Sequence, residues 1–341
     1  MSAVTFDNVS IVFGDDPESA LPAMDAGKDR ANVQDETGQI LGVHNCSLDV
    51  DEGEILVLMG LSGSGKSTLL RAINGLNPVV RGQVTIHDGD WKAEVVGASS
   101  SDLLRIRREC VAMVFQQFGL LPWRTVHDNV GLGLELGGMS KSERRAKVDE
   151  QLAMVGLTDW GESMVAELSG GMQQRVGLAR AFATEAPILL MDEPFSALDP
   201  LIRTRLQDEL IELQGTLRRT IIFVSHDLDE AFKLGDRIAI MEGGRIVQVG
   251  TPREIFKAPA DEYVADFVAH MNPLGVLTAR DVMGPPSGVV LAQVSPNAPV
   301  REVMELLTRE AEAVAVVEED GVPVGRITRD MVLARLLDPR G

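Results

Sequence analysis

A glycine-rich turn directly follows a short apolar run, Ile55–Met59, and this combination constrains the fold more than any other feature. The turn has the spacing G-x-x-x-x-G-K-[ST], which predicts a phosphate-binding loop between a strand and a helix. Its candidate nucleotide-binding residues are Gly60, Ser62, Gly63, Ser64, Gly65, Lys66, Ser67 and Thr68. The alternative is a chance glycine-rich turn, which the strand before it and the helix after it both disfavour.

The residue types in this turn suit the binding of phosphates. Glycines allow the backbone to curve around phosphates with its N–H groups pointing inward. The helix expected from Ser67 adds the positive end of its dipole. We expect Lys66 to reach the β- and γ-phosphates, the Ser67 hydroxyl to bind Mg²⁺ and Thr68 to support the α-phosphate. The spacing alone does not separate kinases, GTPases and transport ATPases.

Two acidic residues, Asp192 and Glu193, end a second apolar run that begins at Ile188. We expect Asp192 to hold Mg²⁺ through water and Glu193 to act as the general base that deprotonates the attacking water. A polar strand terminus without a catalytic role is the alternative. His226 ends a third apolar run, Thr220–Ser225. Because ligands bind where the strands of an α/β sheet end, we expect His226 to contact a γ-phosphate, although a lone histidine is more often structural.

Length, composition and charge exclude several functions. The chain has 341 residues, of which 45% are hydrophobic, enough for two domains with large cores. Its formal net charge of -19 opposes binding to nucleic acid or anionic lipid, since both need clustered Lys and Arg. No run approaches the roughly 18 apolar residues of a membrane span, and the N-terminus lacks a signal-peptide pattern. Cys46 and Cys110 have no metal-type spacing, so we expect both to be reduced and buried.

Strand and helix signals alternate along most of the chain, which predicts parallel strands and crossover helices in an α/β core. We expect residues 1–271 to form a nucleotide-binding domain, with a helical subdomain over about residues 119–180. Residues 15–42 are polar and rich in Asp and Gly, typical of a surface loop or a short helix. Clustered prolines and glycines predict a linker over residues 272–288. Residues 289–341 are expected to form a small α/β unit.

The segment Leu168–Gln174 reads Leu-Ser-Gly-Gly-Met-Gln-Gln and precedes an apparent helix from Arg175. It resembles the signature motif of the ABC ATPase family, with Met at the fifth position where the family most often has Gln. The resemblance covers about residues 4–271 and implies a P-loop NTPase fold with an inserted helical subdomain. It also implies a second anion site at Ser169, Gly170 and Gly171, which grips the γ-phosphate of ATP bound to the opposite subunit.

The same resemblance implies roles for three more residues. Gln116 matches the glutamine that senses Mg²⁺ and the attacking water, with the neighbouring Gln117 as an alternative. Asp199 matches the loop that crosses the dimer interface. Phe13 occupies the place of the aromatic residue that stacks on adenine, and a buried core Phe is the alternative. The implied Mg²⁺ ligands, partly through water, are Ser67, Gln116 and Asp192.

Within the family, the chain looks like the ATP-binding subunits of glycine betaine, proline betaine and choline uptake systems. The supporting strings are Ala197–Arg203, Ser225–Ala231 and the long insertion before Gly42. They imply a bacterial importer subunit at the cytoplasmic face of the plasma membrane, held there by separate permease subunits. They also imply a homodimer with two ATP molecules between its copies, and an extracytoplasmic substrate-binding protein. An importer of another amino acid or osmolyte is the alternative, and a non-transport ABC ATPase is a more remote one.

The residues from Ala298 onward resemble one cystathionine-β-synthase (CBS) repeat. The resemblance rests on the strings Pro299–Met304, Ala315–Val317 and Gly325–Asp330. Related transporter subunits commonly carry two such repeats, which pair into a sensing module, and only one clear copy is present here. Sensing of a ligand or of ionic strength and simple dimerisation therefore both stay open for this unit.

Overall fold

The computed structural model describes residues 1–116, 119–269, 273–287, 292–309 and 312–337. By its internal contacts the chain divides into two compact units. The first comprises Met1–His226 and Ala239–Val247, and the second comprises Asp227–Ile238 and Gln248–Gly341. The domain boundaries expected from the sequence stay a prediction. Within the described ranges, no helix combines the length and the apolar character needed to cross a membrane.

Two sheets form the framework of the first unit. The strands are, in chain order, β1 (Ser2–Phe13), β2 (Ile40–Asp51), β3 (Ile55–Met59), β4 (Arg81–Asp88), β5 (Trp91–Glu94), β6 (Val111–Val114), β7 (Ile188–Asp192), β8 (Thr220–Val224), β9 (Arg237–Glu242) and β10 (Arg245–Gly250). One sheet has the order β2-β1-β4-β5, and the other has the order β10-β9-β3-β8-β7-β6. In the larger sheet β3, β8, β7 and β6 run parallel, as the alternating pattern predicted. Their carboxyl ends therefore lie at one edge, where α/β sheets bind ligands.

Burial explains why the central strands read as continuous apolar runs. Every residue of β3, β7 and β8 is buried. Strands of a parallel sheet are covered on both faces and so show no alternation. By contrast, most of β2 alternates buried and exposed residues along the chain, as expected for an antiparallel strand with one covered face.

Nine α-helices belong to the described part of the first unit. They are α1 (Leu21–Asp25), α2 (Arg30–Thr37), α3 (Lys66–Leu70), α4 (Ser100–Arg105), α5 (Val126–Val130), α6 (Leu132–Leu136), α7 (Lys141–Met154), α8 (Gly170–Ala183) and α9 (Pro200–Leu217). A π-helical turn, Ile106–Cys110, leads into β6, and Cys46 and Cys110 are both free and buried. Helices α5 to α8 follow one another along the chain between Val126 and Ala183. Helix α8 starts earlier than its apparent start at Arg175, because the Ser169 side chain caps it by accepting the Met172 N–H.

The second unit has its own sheet and core. Its elements are α10 (Leu228–Leu234), α11 (Pro252–Lys257), α12 (Glu262–Val268), α13 (Ala279–Val282), β11 (Ala292–Val294), α14 (Val300–Arg309), β12 (Ala313–Val317), β13 (Pro323–Thr328) and α15 (Arg329–Leu337). Strand β12 is central, parallel to β11 and antiparallel to β13. Four residues of the expected linker region, Val276, Leu277, Ala279 and Val282, belong to this unit's core, so the chain from 276 to 282 packs into it.

A buried carboxylate joins two helices of the second unit. The side chain of Asp281 is only 1% exposed and accepts hydrogen bonds from Arg253, Lys257 and Thr278. Burial raises the pKa of the Asp281 carboxyl, but the hydrogen bonds from Lys257, Thr278 and Arg253 outweigh this and hold the pKa at about 2. Helix α13 is thereby fixed to α11 by an ionised group.

Candidate nucleotide-binding site

The glycine-rich loop connects the end of β3 to the start of α3. Gly60 has φ +142°, and a Cβ atom there would lie 2.1 Å from the Met241 carbonyl oxygen, so no other residue fits. The Lys66 ammonium donates to the carbonyl oxygens of Gly60, at 2.8 Å, and Leu61, at 3.0 Å. Burial lowers the pKa of Lys66, while the charges of Glu193 and Asp192 raise it. The loop therefore presents a cation close to the two acids.

Asp192 ends β7 with a side chain that is fully buried. Its Oδ1 accepts the Ser67 hydroxyl at 2.6 Å, and its Oδ2 accepts the Arg71 guanidinium at 2.8 Å. The sequence reasoning missed Arg71. Ser67 and Arg71 are four residues apart and so share one face of the helical turn, which is the signal that would have linked Arg71 to the loop.

Glu193 lies where two predicted residues converge. Its Oε2 is 3.0 Å from Gln116 Nε2, which donates a hydrogen bond, and 3.5 Å from His226 Nδ1. The backbone of Glu193 is left-handed, with φ +49°, a conformation that costs energy in a residue other than glycine and recurs at functional sites. The structure thus brings Gln116, Glu193 and His226 together. Gln117, the alternative to Gln116, lies outside the described residues.

These groups surround one cavity of about 540 Å³. Its lining contains Phe13, Arg30, Ile40, Leu41, Gly42, Ser62, Gly63, Gly65, Lys66, Ser67, Thr68, Gln116, Glu193 and His226. Phe13 is 37% exposed and lies at the rim, not in a core. Its ring packs over Gly42 beside Thr68, since a Cβ at Gly42 would be 3.0 Å from both side chains. Arg30 comes from the insertion between β1 and β2 and was not found by sequence reasoning.

The signature and Asp199 lie elsewhere on the unit. The cavity wall formed by the described residues does not include Ser169, Gly170, Gly171 or Asp199. Ser169 and Gly170 are exposed at the start of α8, a helix of 14 residues, and exposed Asp199 caps α9 by accepting the Ile202 N–H at 3.1 Å. An exposed helix start is open to an anion supplied from outside the unit.

A buried glutamine links the signature helix to the acidic strand end. Gln174 is 1% exposed. Its Nε2 donates to the Glu193 carbonyl oxygen at 3.2 Å, and its Oε1 accepts the Ala197 N–H at 3.2 Å. Gln174 lies in the signature segment, but the local sequence indicates no role for it, because both of its contacts depend on tertiary structure.

A phosphate-binding loop after β3, with two acids at the end of β7, which is separated from β3 by β8 in the same parallel sheet, defines a P-loop nucleotide hydrolase. Comparison with known proteins narrows the class. The ABC transporter family profile matches residues 43–196, and the CBS domain profile matches residues 290–338. The chain belongs to the ABC transporter family, and it is an ATP-binding, ATP-hydrolysing subunit. The family predicted from the sequence is confirmed.

Individual relatives agree with this assignment over almost the whole chain. The glycine betaine/proline betaine transport system ATP-binding protein ProV of Escherichia coli is 46% identical, covering 98% of this chain and 82% of the relative. The trimethylamine N-oxide transport system ATP-binding protein TmoW of Ruegeria pomeroyi is 42% identical, covering 97% of this chain and 96% of the relative. The solved dimeric structure of the bacterial ABC transporter cassette MJ0796 superposes with a TM-score of 0.63 at 32% identity, covering 73% of this chain and 99% of that one. The predicted fold class is confirmed as well.

Proposed function

We propose that this chain hydrolyses Mg²⁺·ATP to drive import of a quaternary amine osmolyte, choline or glycine betaine, through a separate membrane permease. The observation that carries the ATPase half is the convergence of Gln116 and His226 on Glu193 at the cavity that contains the phosphate-binding loop. The names of the relatives support the transport half, since they belong to subunits of glycine betaine, proline betaine and trimethylamine N-oxide systems.

The residues present fit a magnesium ion. Ser67 Oγ and Asp192 Oδ1, 2.6 Å apart, are the hard oxygen donors that Mg²⁺ prefers. Within the described ranges, no group of three or more His, Cys, Asp or Glu side chains is placed to hold a metal. A metal here would therefore draw its other ligands from water and phosphate, which is the usual Mg²⁺ arrangement. Ser67 and Asp192 would hold it, with the Gln116 amide reaching it partly through water.

Nucleotide binding and catalysis then follow from the positions of five side chains. Lys66 and the backbone N–H groups of the loop bind the phosphates, and Mg²⁺, where Ser67 and Asp192 would hold it, would neutralise part of their charge. The Glu193 carboxylate orients the attacking water and accepts its proton. Gln116 holds one carboxylate oxygen of Glu193, and His226, 63% exposed on the cavity side, contacts the γ-phosphate. Phe13, 37% exposed at the rim, stacks on the adenine.

The second anion site requires a second copy of the chain. Ser169, Gly170 and Gly171 stand at the exposed N-terminus of α8, whose dipole favours an anion. Two copies related by a twofold axis would each place this helix start over the ATP of the other copy. Leu201, 79% exposed beside Asp199, is the apolar surface that such contact would cover. ATP contacts both copies only in the closed state, so it shifts the equilibrium toward closure, and hydrolysis reverses the shift.

A groove beside Gln116 offers a docking surface for the permease. It has a volume of about 320 Å³, and its lining includes Leu76, Phe115, Leu132, Leu136, Arg107, Arg108 and Arg180. Its apolar wall contains Leu76 and Leu136, which are 47% and 56% exposed. On a chain with a net charge of -19, clustered arginines beside an apolar wall fit an amphipathic permease helix with acidic residues. Phe115 precedes Gln116 directly, so movement in this groove would reach Glu193.

The cargo would be recognised by other subunits. Quaternary ammonium groups are usually held in aromatic cages, and only 4% of this chain is aromatic. An extracytoplasmic binding protein and the permease would therefore bind the osmolyte, while this subunit stays at the cytoplasmic face of the membrane. Deleting residues 288–341 and measuring the salt dependence of ATPase activity would separate sensing from dimerisation for the CBS-like unit.

Uptake by the complete complex tests the proposal. The chain, purified with its permease and binding protein, is reconstituted into vesicles with internal Mg²⁺·ATP and given radiolabelled choline, glycine betaine, proline or trimethylamine N-oxide. We expect choline or glycine betaine to accumulate, and we expect Glu193→Gln to abolish accumulation. Accumulation of proline alone would favour the alternative amino-acid importer. No co-purifying membrane protein, or uptake that survives Glu193→Gln, would contradict the proposal.

A further inference from the structure

The insertion between β1 and β2 is a folded element with its own small core. Residues 15–42 contain the 3₁₀ turn Pro17–Ala20 and helices α1 and α2. Met24 of α1 and Val33 of α2 are fully buried against Val12 and Leu41 of the neighbouring strands. The start of α2 therefore has a fixed position beside the nucleotide cavity.

An ion-pair cluster ties the insertion to the sheet. Asp25, at the end of α1, accepts two hydrogen bonds from the Arg81 guanidinium, at 2.7 and 2.8 Å. The His44 ring lies 3.0 Å from the same carboxylate. Bidentate pairs of this kind fix orientation as well as distance. The segment that follows, including Asp29 as the N-cap of α2, is thus anchored by the Asp25 cluster before it and by the buried Val33 after it.

Arg30, the first residue of α2, bridges two walls of the cavity. Its Nη1 donates to the carbonyl oxygen of Gly63 in the phosphate-binding loop, and its Nη2 donates to that of Gly42 in β2, at 2.5 Å. Gly42 lies beneath Phe13 and beside Thr68, at the proposed adenine end of the cavity. One planar guanidinium therefore joins the loop that binds phosphate to the wall that borders the base.

Both polar atoms of one loop peptide are fixed by these contacts. The Gly63 carbonyl accepts from Arg30, and the N–H of the same peptide, on Ser64, donates to the Leu61 carbonyl oxygen at 3.1 Å. Gly63 has φ +80°, in the left-handed region, so this peptide could otherwise rotate easily. An arginine fork suits the task, since a lysine ammonium cannot donate to two carbonyls in a fixed plane.

Nothing else in the described chain accounts for this arginine. No carboxylate of the described residues forms an ion pair with Arg30, whereas Lys28 on the same insertion pairs with Glu36. The Arg30 Nε is buried without a hydrogen-bond partner. Burial also lowers the pKa of its guanidinium, although an arginine stays charged. The half-buried guanidinium is therefore accounted for by its hydrogen bonds to the Gly63 and Gly42 carbonyl oxygens and not by a surface ion pair.

We propose that Arg30 is a positioning residue for nucleotide binding, which holds the Gly63–Ser64 peptide and the Gly42 wall in the arrangement that accepts a nucleoside polyphosphate. The inference rests on the proposed function, because it assumes that nucleotide binds in this cavity. Preorganising a loop lowers the ordering cost of binding, so the loss should fall on affinity. No hydrogen bond or ion pair of the described residues joins Arg30 to Gln116, Glu193 or His226, so the chemical step should not change.

The test compares three variants of the full chain with the wild type. Calorimetric titration with Mg²⁺·ADP gives Kd, and steady-state hydrolysis gives KM and kcat. We expect Arg30→Met to raise Kd and KM about tenfold, equal to about 1.4 kcal/mol, with kcat changed less than about twofold. Arg30→Lys should lie between Arg30→Met and the wild type. Lys28→Met removes the same charge and a similar stem from the insertion and should bind like the wild type.

Hydrogen exchange of the amides in α2 shows whether the insertion stays folded in each variant. Equal Kd values for Arg30→Met and Lys28→Met would overturn the proposal, as would a lower melting temperature with unchanged Kd. A fall in kcat at constant KM would overturn it too, since it would place Arg30 in the chemical step. Failure of the wild type itself to bind Mg²⁺·ADP would instead refute the proposed function.

Discussion

Gln174 offers a quantitative test of how the signature helix supports the catalytic strand end. Replacing it with Met keeps the length of the side chain but removes the hydrogen bonds to the Glu193 carbonyl and the Ala197 N–H. Two net hydrogen bonds at about 1 kcal/mol each give a stability loss of about 2 kcal/mol. For a unit of this size, that corresponds to a fall of about 4–8 °C in Tm.

The same substitution should reduce turnover more than its effect on stability explains. The Glu193 peptide, already in a left-handed conformation, loses a buried contact that fixes it. Because a shift of about 1 Å in a catalytic group can cost about 100-fold, we expect kcat to fall about 10–100-fold. Gln174 does not line the cavity, so nucleotide affinity should change by less than about twofold. A twofold change corresponds to about 0.4 kcal/mol.

Gln214→Met is the matched control. Gln214 also donates from Nε2 to two carbonyl oxygens, those of Gly53 at 2.7 Å and Arg219 at 2.6 Å, and it lies in α9 outside the nucleotide cavity. Differential scanning fluorimetry and phosphate release should show a comparable fall in Tm for both variants and a fall in kcat for Gln174→Met alone. Normal turnover in Gln174→Met, at a temperature where it is folded, would refute the idea that this amide positions Glu193.

Three further changes have defined outcomes. Glu193→Gln should keep nucleotide binding and lower steady-state turnover about 10²–10⁴-fold, because an amide cannot accept the water proton; unchanged phosphate release would remove Glu193 from that role. In the proposed dimer each site combines Glu193 of one copy with Ser169 of the other. Mixed dimers with Ser169→Glu on one copy and Glu193→Gln on the other should therefore retain one intact site, whereas both changes on one copy should leave none. The opposite result would mean that each chain completes its own site. Asp281→Asn should destabilise the second unit at pH 7. The pKa of Asp281 falls from 3.8 to about 2, worth about 2.4 kcal/mol, which we reduce to about 1–2 kcal/mol because Arg253 and Lys257 are 37% and 36% exposed. The folded-state pKa is lower than the unfolded-state pKa, so the carboxylate stabilises the folded state most at high pH. In urea unfolding, the difference in the free energy of unfolding between wild type and variant should be complete above about pH 5 and shrink between about pH 4 and 2. A difference that does not change with pH would show that the ionised carboxylate is not its source.

Local patterns predicted the parts of the site that depend on consecutive residues. The loop from Gly60 to Ser67 carries its chemistry in its spacing, and the two acids after β7 follow a run that is buried throughout. Helix α7 was predicted over Lys141–Val155 and is found over Lys141–Met154, because a capping box of Ser140 and Glu143 marks its start. These features need no knowledge of distant contacts.

Contacts between distant segments were not predictable in the same way. Arg30 reaches a loop 33 residues away, and Gln174 reaches a carbonyl 19 residues away, in each case through tertiary packing. The insertion resembled a polar loop because its buried residues, such as Met24 and Val33, are few and widely spaced. Residues 272–288 suggested a linker because prolines and glycines conceal the four apolar residues that enter the core of the second unit.

Helix α8 has one consequence for the proposed dimer. The helix exposes Ser169 at its first turn, while Gln174, five residues later, grips the backbone of Glu193 in the same chain. At 1.5 Å per residue, these points are separated by about 7.5 Å of rigid helix. If a partner's nucleotide binds at Ser169, as proposed, a displacement of α8 would be transmitted to the backbone of Glu193 in the same chain. The two nucleotide sites of such a dimer would then be mechanically coupled, and occupancy of one would alter the geometry of the other.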